Sequence, residues 1–200
     1  MATSICSDAR GPWMLTLSGR RISVLHPDPA DITIDDVAHG LALVTRFGGQ
    51  IPEPYSVAQH SVLVKSVVEE LDPGCGEVVL LQALLHDASE GIGLQDLPTP
   101  FKGVLPEYRA LEARHMAAIL TRFDLPIVIP EIVKRADAIA FATERRDLFR
   151  SQERRLRPVA PPAAGHIEPW SWRVAERCFL DAWRTLEAQR GRVHGVAVGG

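Results

Sequence analysis

Apolar residues recur along this chain with two different periods. From Trp13 to Leu25 they alternate with polar ones on either side of Ser18-Gly19, the pattern of a small β-hairpin closed by a Gly-containing turn. From Thr33 the spacing becomes helical: Ile34, Val37, Ala38, Leu41 and Val44 share a face. Thr33 and Asp36 open that helix as a capping box, and Gly48-Gly49 is expected to close it. Ser56 with Gln59 marks a second start, carried on by Val57, Val64, Val67, Val68 and Leu71 until Asp72-Pro73-Gly74 breaks the chain. A third helix, from about Gly76 to Glu90, is apolar on nearly every side through VVLLQALL, which predicts a place at the centre of the domain.

Beyond Glu90, the segment GIGLQDLPTPFKG reads as a loop, because Pro98 and Pro100 have no amide hydrogen to give a helix. Pro106 and Pro130 each fit the first turn of a further helix, ending near Phe123 and Phe149. Residues 150–165 form a basic and then Pro-rich connection expected at the surface. A last amphipathic helix spans roughly Pro169 to Arg190, with Trp172, Phe179, Leu180 and Trp183 to pack. The pattern predicts an all-α fold: a helical bundle over 31–190, a β-hairpin extension over 1–30 and a frayed tail over 191–200.

Composition narrows the picture. The 200 residues suit one domain, and 46% apolar with 24% charged side chains is ordinary for a globular protein. The 22 basic against 25 acidic side chains leave a formal charge of −3, which offers a polyphosphate backbone no global attraction. The basic run Arg154 to Arg157 reads as a solvated loop, and no stable nucleic-acid binding is expected. No apolar stretch is long enough for a membrane span, and MATSICSDAR lacks the core of a secretory signal, so a cytoplasmic protein with no membrane partner is expected. Cys6, Cys75 and Cys178 form no Cys-x-x-Cys pair and read as reduced thiols.

Chemistry concentrates on the central helix, which ends in His86-Asp87. A histidine and an aspartate behind a run of buried leucines are costly unless each finds a partner, and a metal ion satisfies both. His60 sits on the preceding helix. Asp137 lies on the fifth among Ala136, Ala138, Ile139 and Ala140, a setting that suggests it faces inward. Three helices would then bring nitrogen and oxygen ligands to one point.

His60, the pair His86-Asp87 and Asp137, in that order, resemble the ligand set of the HD-domain metal-dependent phosphohydrolases. SVAQHS is similar to the motif SVAEHS, and HDASE followed by DLPTPFK is similar to the HDAxE and GDxPxPxK segments of the bacterial 5'-deoxynucleotidase branch. Arg46-Phe47 resembles that branch's Arg-aromatic pair near the substrate phosphate, and the likeness runs from Ile34 to Phe149. Two departures stand out. Gln59 replaces a Glu, and the stretch from Glu90 to Asp96 is one residue longer, with Gln95 in the place of a Gly.

The resemblance implies a divalent ion (Mn, Co, Ni, Zn, Fe or Mg) held by His60, His86, Asp87 and Asp137. A bound cation neutralises a phosphate ester and acidifies a coordinated water. Glu90, three residues after Asp87, is the expected carboxylate for the attacking water, and Asp96 the expected proton donor to the leaving alkoxide. Arg46 and Lys102 are expected on phosphate oxygens, and Phe47 on a base or in the core. His115 reads as a core histidine, and the run ERRD at 144–147 as ion pairs on or between helices.

The reaction so implied is hydrolysis of a deoxynucleoside 5'-monophosphate to deoxynucleoside and phosphate. One alternative is a deoxynucleoside triphosphohydrolase like the dATP-cleaving phage enzymes, recruiting Lys65, Lys102 and Arg109. A second is a non-catalytic metal-containing binding module. A homo-oligomer is expected, with the Trp-bearing last helix as a candidate interface.

Overall fold

The computed structural model describes residues 7–8, 11–149 and 160–197, and side chains as far as residue 192. Cys6 and the basic run at 154–157 lie outside these residues. The protein is an all-α bundle with a small antiparallel sheet at its N-terminal end. Three short strands, β1 (Ser7–Asp8), β2 (Gly11–Leu15) and β3 (Arg21–Ser23), pair in sequence order. The hairpin register sets Met14 opposite Ile22, with the turn at Ser18-Gly19 as predicted. Asp36 fastens this hairpin to the bundle: its carboxylate accepts from Ser18 N at 2.8 Å and from Ser18 Oγ at 2.6 Å.

Among the described residues seven α-helices follow: α1 (Ile34–Leu43), α2 (Val57–Leu71), α3 (Glu77–Leu85), α4 (Thr99–Lys102), α5 (Pro106–Arg122), α6 (Glu131–Leu148) and α7 (Trp172–Ala197). The predicted caps are present, with Thr33 Oγ1 accepting from Asp36 N and Ser56 Oγ from Gln59 N. As its all-round apolar sequence requires, α3 is the central helix; it packs on α2, α6 and α7, and Leu81, Ala83, Leu84 and Leu85 are fully buried. Among the described residues no helix is long and apolar enough to cross a membrane.

Four boundaries differ from the sequence expectation. α1 stops at Leu43, not at Gly48-Gly49, because Thr45 leaves the helix to bridge Ser56, and Phe47, Gly48 and Gly49 turn through left-handed φ values of 59°, 58° and 73°. α3 ends at Leu85, and Ala88–Ile92 continue as a tighter 3₁₀ turn. The Pro-rich segment holds the one-turn helix α4, which Pro98 and Pro100 permit because first-turn amides need no intrahelical acceptor. α7 runs past the expected end at Arg190 to Ala197. The tryptophans of α7 also turn inward: Trp183 is buried edge-to-face on Phe123 at 4.7 Å, and Trp172 meets His39 at 5.9 Å.

Candidate metal centre and the cavity above it

His60 reaches the centre of the bundle from α2 and has no solvent exposure. Its Nδ1 lies 2.6 Å from Glu144 Oε1 on α6, and His86 Nδ1 lies 2.8 Å from the Ala83 carbonyl. Each Nδ1 therefore carries the hydrogen, and both Nε2 atoms turn to the same spot, 3.2 Å apart. Asp137 Oδ1 stands 3.2 Å from His60 Nε2 and 3.9 Å from His86 Nε2, and Asp87 Oδ2 stands 3.6 and 3.3 Å from the same two atoms. The four side chains singled out in the sequence do meet.

Two facing imidazole nitrogens flanked by two carboxylates demand a positive charge between them. A proton or a metal ion meets that demand, and the ligand atoms of His60, His86 and Asp137 lie within 4.8 Å of one another, a group that can hold a metal ion. The titration of the cluster follows the same logic. Burial and nearby Arg46 push His60 towards neutrality, but Glu144 and Asp137 outweigh them and raise its pKa to about 9. Burial alone would raise Asp87; His86, His60 and Arg46 instead hold it well below the usual carboxylate range.

Local backbone sets each of these residues. His86 closes α3 in helical geometry, and Asp87 then leaves it at φ −111°, ψ 18°, so the helix end throws both side chains towards α6. Asp137 rides on α6. Seven residues on, and so on the same face, comes Glu144, fully buried between His60 and Arg46. Glu144 makes the ion pairs between helices that the ERRD run predicts, and it also orients His60, a role signalled in the sequence by its two-turn spacing from Asp137. In the same run, Arg146 grips Asp147, whose Oδ2 also accepts from Ile167 N and so fastens the segment that follows residue 160.

Above the cluster opens a cavity of about 510 Å³, bordered by Arg46, Phe47, Asp87, Glu90, Asp96 and Lys102, with Phe141 and Pro98 on its apolar side. Glu90 is 2% exposed; its Oε1 receives Lys102 Nζ at 2.9 Å, and Oε2 has no hydrogen-bond donor among the described residues. Burial, then Asp87 and Asp96, raise its pKa to about 8 against the pull of Lys102. Lys102 is itself shared with Glu112 on α5, at 2.7 Å, a partner that no sequence pattern announced. Arg46 is likewise engaged, with Nη1 3.5 Å from Asp87 Oδ2 and Nη2 3.2 Å from Glu144 Oε2. It sits beyond the end of α1, immediately before the left-handed turn of Phe47, Gly48 and Gly49.

Asp96 Oδ2 accepts from Phe47 N at 3.1 Å, which pins the Arg46-Phe47 turn to the opposite wall. Phe47 pads that wall, edge-to-face with Phe149 at 5.0 Å and 6.1 Å from Phe141. His115 stays out of the site, buried with Nδ1 on the Leu111 carbonyl. Gln59 and Gln95 each have a definite place in the structure. Gln59 turns away from the cluster: Nε2 donates to the Glu168 carbonyl and Oε1 accepts from Trp170 N, a double role that a carboxylate cannot play. Gln95 takes φ 59°, the conformation in which Gly costs least.

The fold and site define a helical bundle with a buried histidine-carboxylate centre beneath a polar cavity. No family model matches the chain. Over 127 residues it is 48% identical to an uncharacterized protein of Rhodobacter capsulatus, an alignment covering 62% of this chain and 64% of that one, somewhat under two thirds of its length. Over 136 residues it is 40% identical to the uncharacterized protein YfdR of Escherichia coli, covering 68% of this chain and 72% of that one. The chain belongs to the family that includes YfdR.

Proposed function

We propose that this protein is a divalent-cation-dependent phosphohydrolase of the HD-domain kind, acting on deoxynucleoside 5'-monophosphates. One observation carries the reading: two imidazole Nε2 atoms 3.2 Å apart, with both Nδ1 positions held by acceptors and two carboxylates beside them, at the foot of an open cavity. Such donors suit a divalent ion of borderline hardness, held by His60, His86, Asp87 and Asp137. When bound, the ion supplies charge neutralisation of the phosphate and acidification of water.

The chain's own residues supply the rest. Lys102 fixes Oε1 of Glu90, so Oε2 takes the proton of the attacking water as its oxygen bonds to phosphorus. The bond from phosphorus to the 5'-oxygen breaks, and Asp96, entering the cycle with its free oxygen protonated, gives that proton to the leaving alkoxide; the proton taken up by Glu90 then restores Asp96. Arg46 faces the phosphate from the turn that Asp96 pins. Phe47, Phe141 and Pro98 offer apolar contact to sugar or base.

Charge bookkeeping favours a monophosphate over a triphosphate. Among the described residues, Arg46 and Lys102 are the cationic side chains lining the cavity, and each already faces two carboxylates. Lys65 pairs with Glu69 on α2, and neither it nor Arg109 borders the cavity. A tripolyphosphate would find little unspent positive charge.

Purified protein with Mn²⁺ should release inorganic phosphate from deoxynucleoside monophosphates and no tripolyphosphate from the triphosphates. Glu90→Ala should cut turnover by about 10² to 10⁴-fold while bound metal persists. Tripolyphosphate as the product would reassign the substrate. Bound metal without turnover on any phosphoester would favour a binding module.

A further inference from the structure

We propose that Glu144 is a positioning residue that couples cation binding at the histidine pair to anion binding at Arg46. This rests on the phosphohydrolase reading for the identity of the anion, but its geometry stands alone. The carboxylate is fully buried and divides its oxygens: Oε1 meets His60 Nδ1 at 2.6 Å and Oε2 faces Arg46 Nη2 at 3.2 Å. Arg46 in turn sets Nη1 3.5 Å from Asp87 Oδ2, which lies 3.6 Å from His60 Nε2. Glu144, His60, Asp87 and Arg46 thus form a closed ring drawn from α6, α2, the end of α3 and the turn after α1.

A ring of charges redistributes when one member gains a partner. With a cation held by the histidine pair, Asp87 would be drawn towards it, its hold on Arg46 Nη1 would weaken, and that donor would be left for an anion in the cavity. The Nδ1 hydrogen of His60 would become more acidic and its bond to Glu144 tighter. Glu144 then keeps the guanidinium in place through Nη2 while Nη1 turns to the phosphate. Cation and anion should each raise the affinity for the other by the same factor, as binding linkage requires. Direct contact between the two ions adds to this coupling and would survive loss of Glu144, so the part carried by Glu144 is what its variants remove.

The test measures Mn²⁺ by competition with a chromogenic chelator, and inorganic phosphate by calorimetry, on the full chain with and without Mn²⁺. Glu144→Gln keeps the shape and removes the charge. Glu144→Asp keeps the charge that buried Arg46 needs but is one methylene too short to hold both partners, which preserves a folded comparator. Expected in either is Mn²⁺ affinity reduced about tenfold, with phosphate binding to the Mn²⁺-saturated protein weakened several-fold as well. Unchanged affinities in folded variants, or a loss of Mn²⁺ affinity with phosphate binding to the saturated protein intact, would overturn the coupling. Wild-type protein that binds both ions cooperatively yet hydrolyses no phosphoester would sink the enzymatic reading and leave the coupling standing.

Discussion

His60 is fully buried with a carboxylate at each ring nitrogen, and its charge state decides what the centre can hold. With a folded pKa raised to about 9, it carries a proton at neutral pH that a cation must displace before Nε2 can coordinate. Apparent Mn²⁺ affinity should therefore climb as pH rises towards about 9 and level off above it, with proton release on binding detectable in weakly buffered solution. In chelator the stability sign is opposite. A folded pKa above the unfolded 6.5 contributes stability in full below pH 6.5, and that contribution is lost as pH rises through about 9. Metal affinity flat between pH 6 and 9 would mean that the imidazole is already neutral.

At the scale of elements, two glycines let the site close. Gly40 of α1 rests on the turn that carries Glu90: a Cβ there would stand 1.8 Å from the Gly91 carbonyl oxygen, and one on Gly91 would stand 2.5 Å from the Val37 carbonyl. Helix propensity alone predicts that Gly40→Ala stabilises α1 by up to about 1 kcal/mol. The backbone contact predicts the reverse, a loss of roughly 3 kcal/mol as α1 is forced off the turn, read from the denaturant midpoint. The same contact explains why α3 stops where it does. Continuing the helix past Leu85 would carry Glu90 away from α1, whereas the 3₁₀ turn keeps Glu90 N on the Asp87 carbonyl at 3.0 Å and its side chain in the cavity wall.

For the molecule as a whole, the centre joins α2, the end of α3 and α6, so an ion held there would crosslink the bundle. Mn²⁺ at a hundred times its dissociation constant should stabilise the fold by about 2.7 kcal/mol, seen as a rise in melting temperature that EDTA reverses. His86→Ala should abolish that rise, and an unchanged melting temperature with wild-type protein would argue against an ion at this position.

Much of this was legible in one dimension. Thr33, Ser56, Pro106 and Pro130 announced helix starts through capping and amide chemistry that acts within a turn, and the costly polar pair after VVLLQALL pointed to the centre. Residues whose role depends on a distant partner were not legible. Glu112 owes its place to Lys102, Phe47 takes its left-handed backbone beneath Asp96, and the ends of α1 and α3 are set by a β-bridge and a glycine contact from elsewhere in the chain.

The sequence by itself determined the long helices and where most of them start, which helix is innermost and which side chains are too costly to bury unpaired, because periodicity and local donors act over a few residues. Only the tertiary structure decided that Glu144 would stand between His60 and Arg46, that Lys102 would be held by two carboxylates and that Gln59 would serve the backbone of another segment. Distances of about 3 Å between residues far apart in the chain follow from how whole helices pack, and no local pattern encodes them.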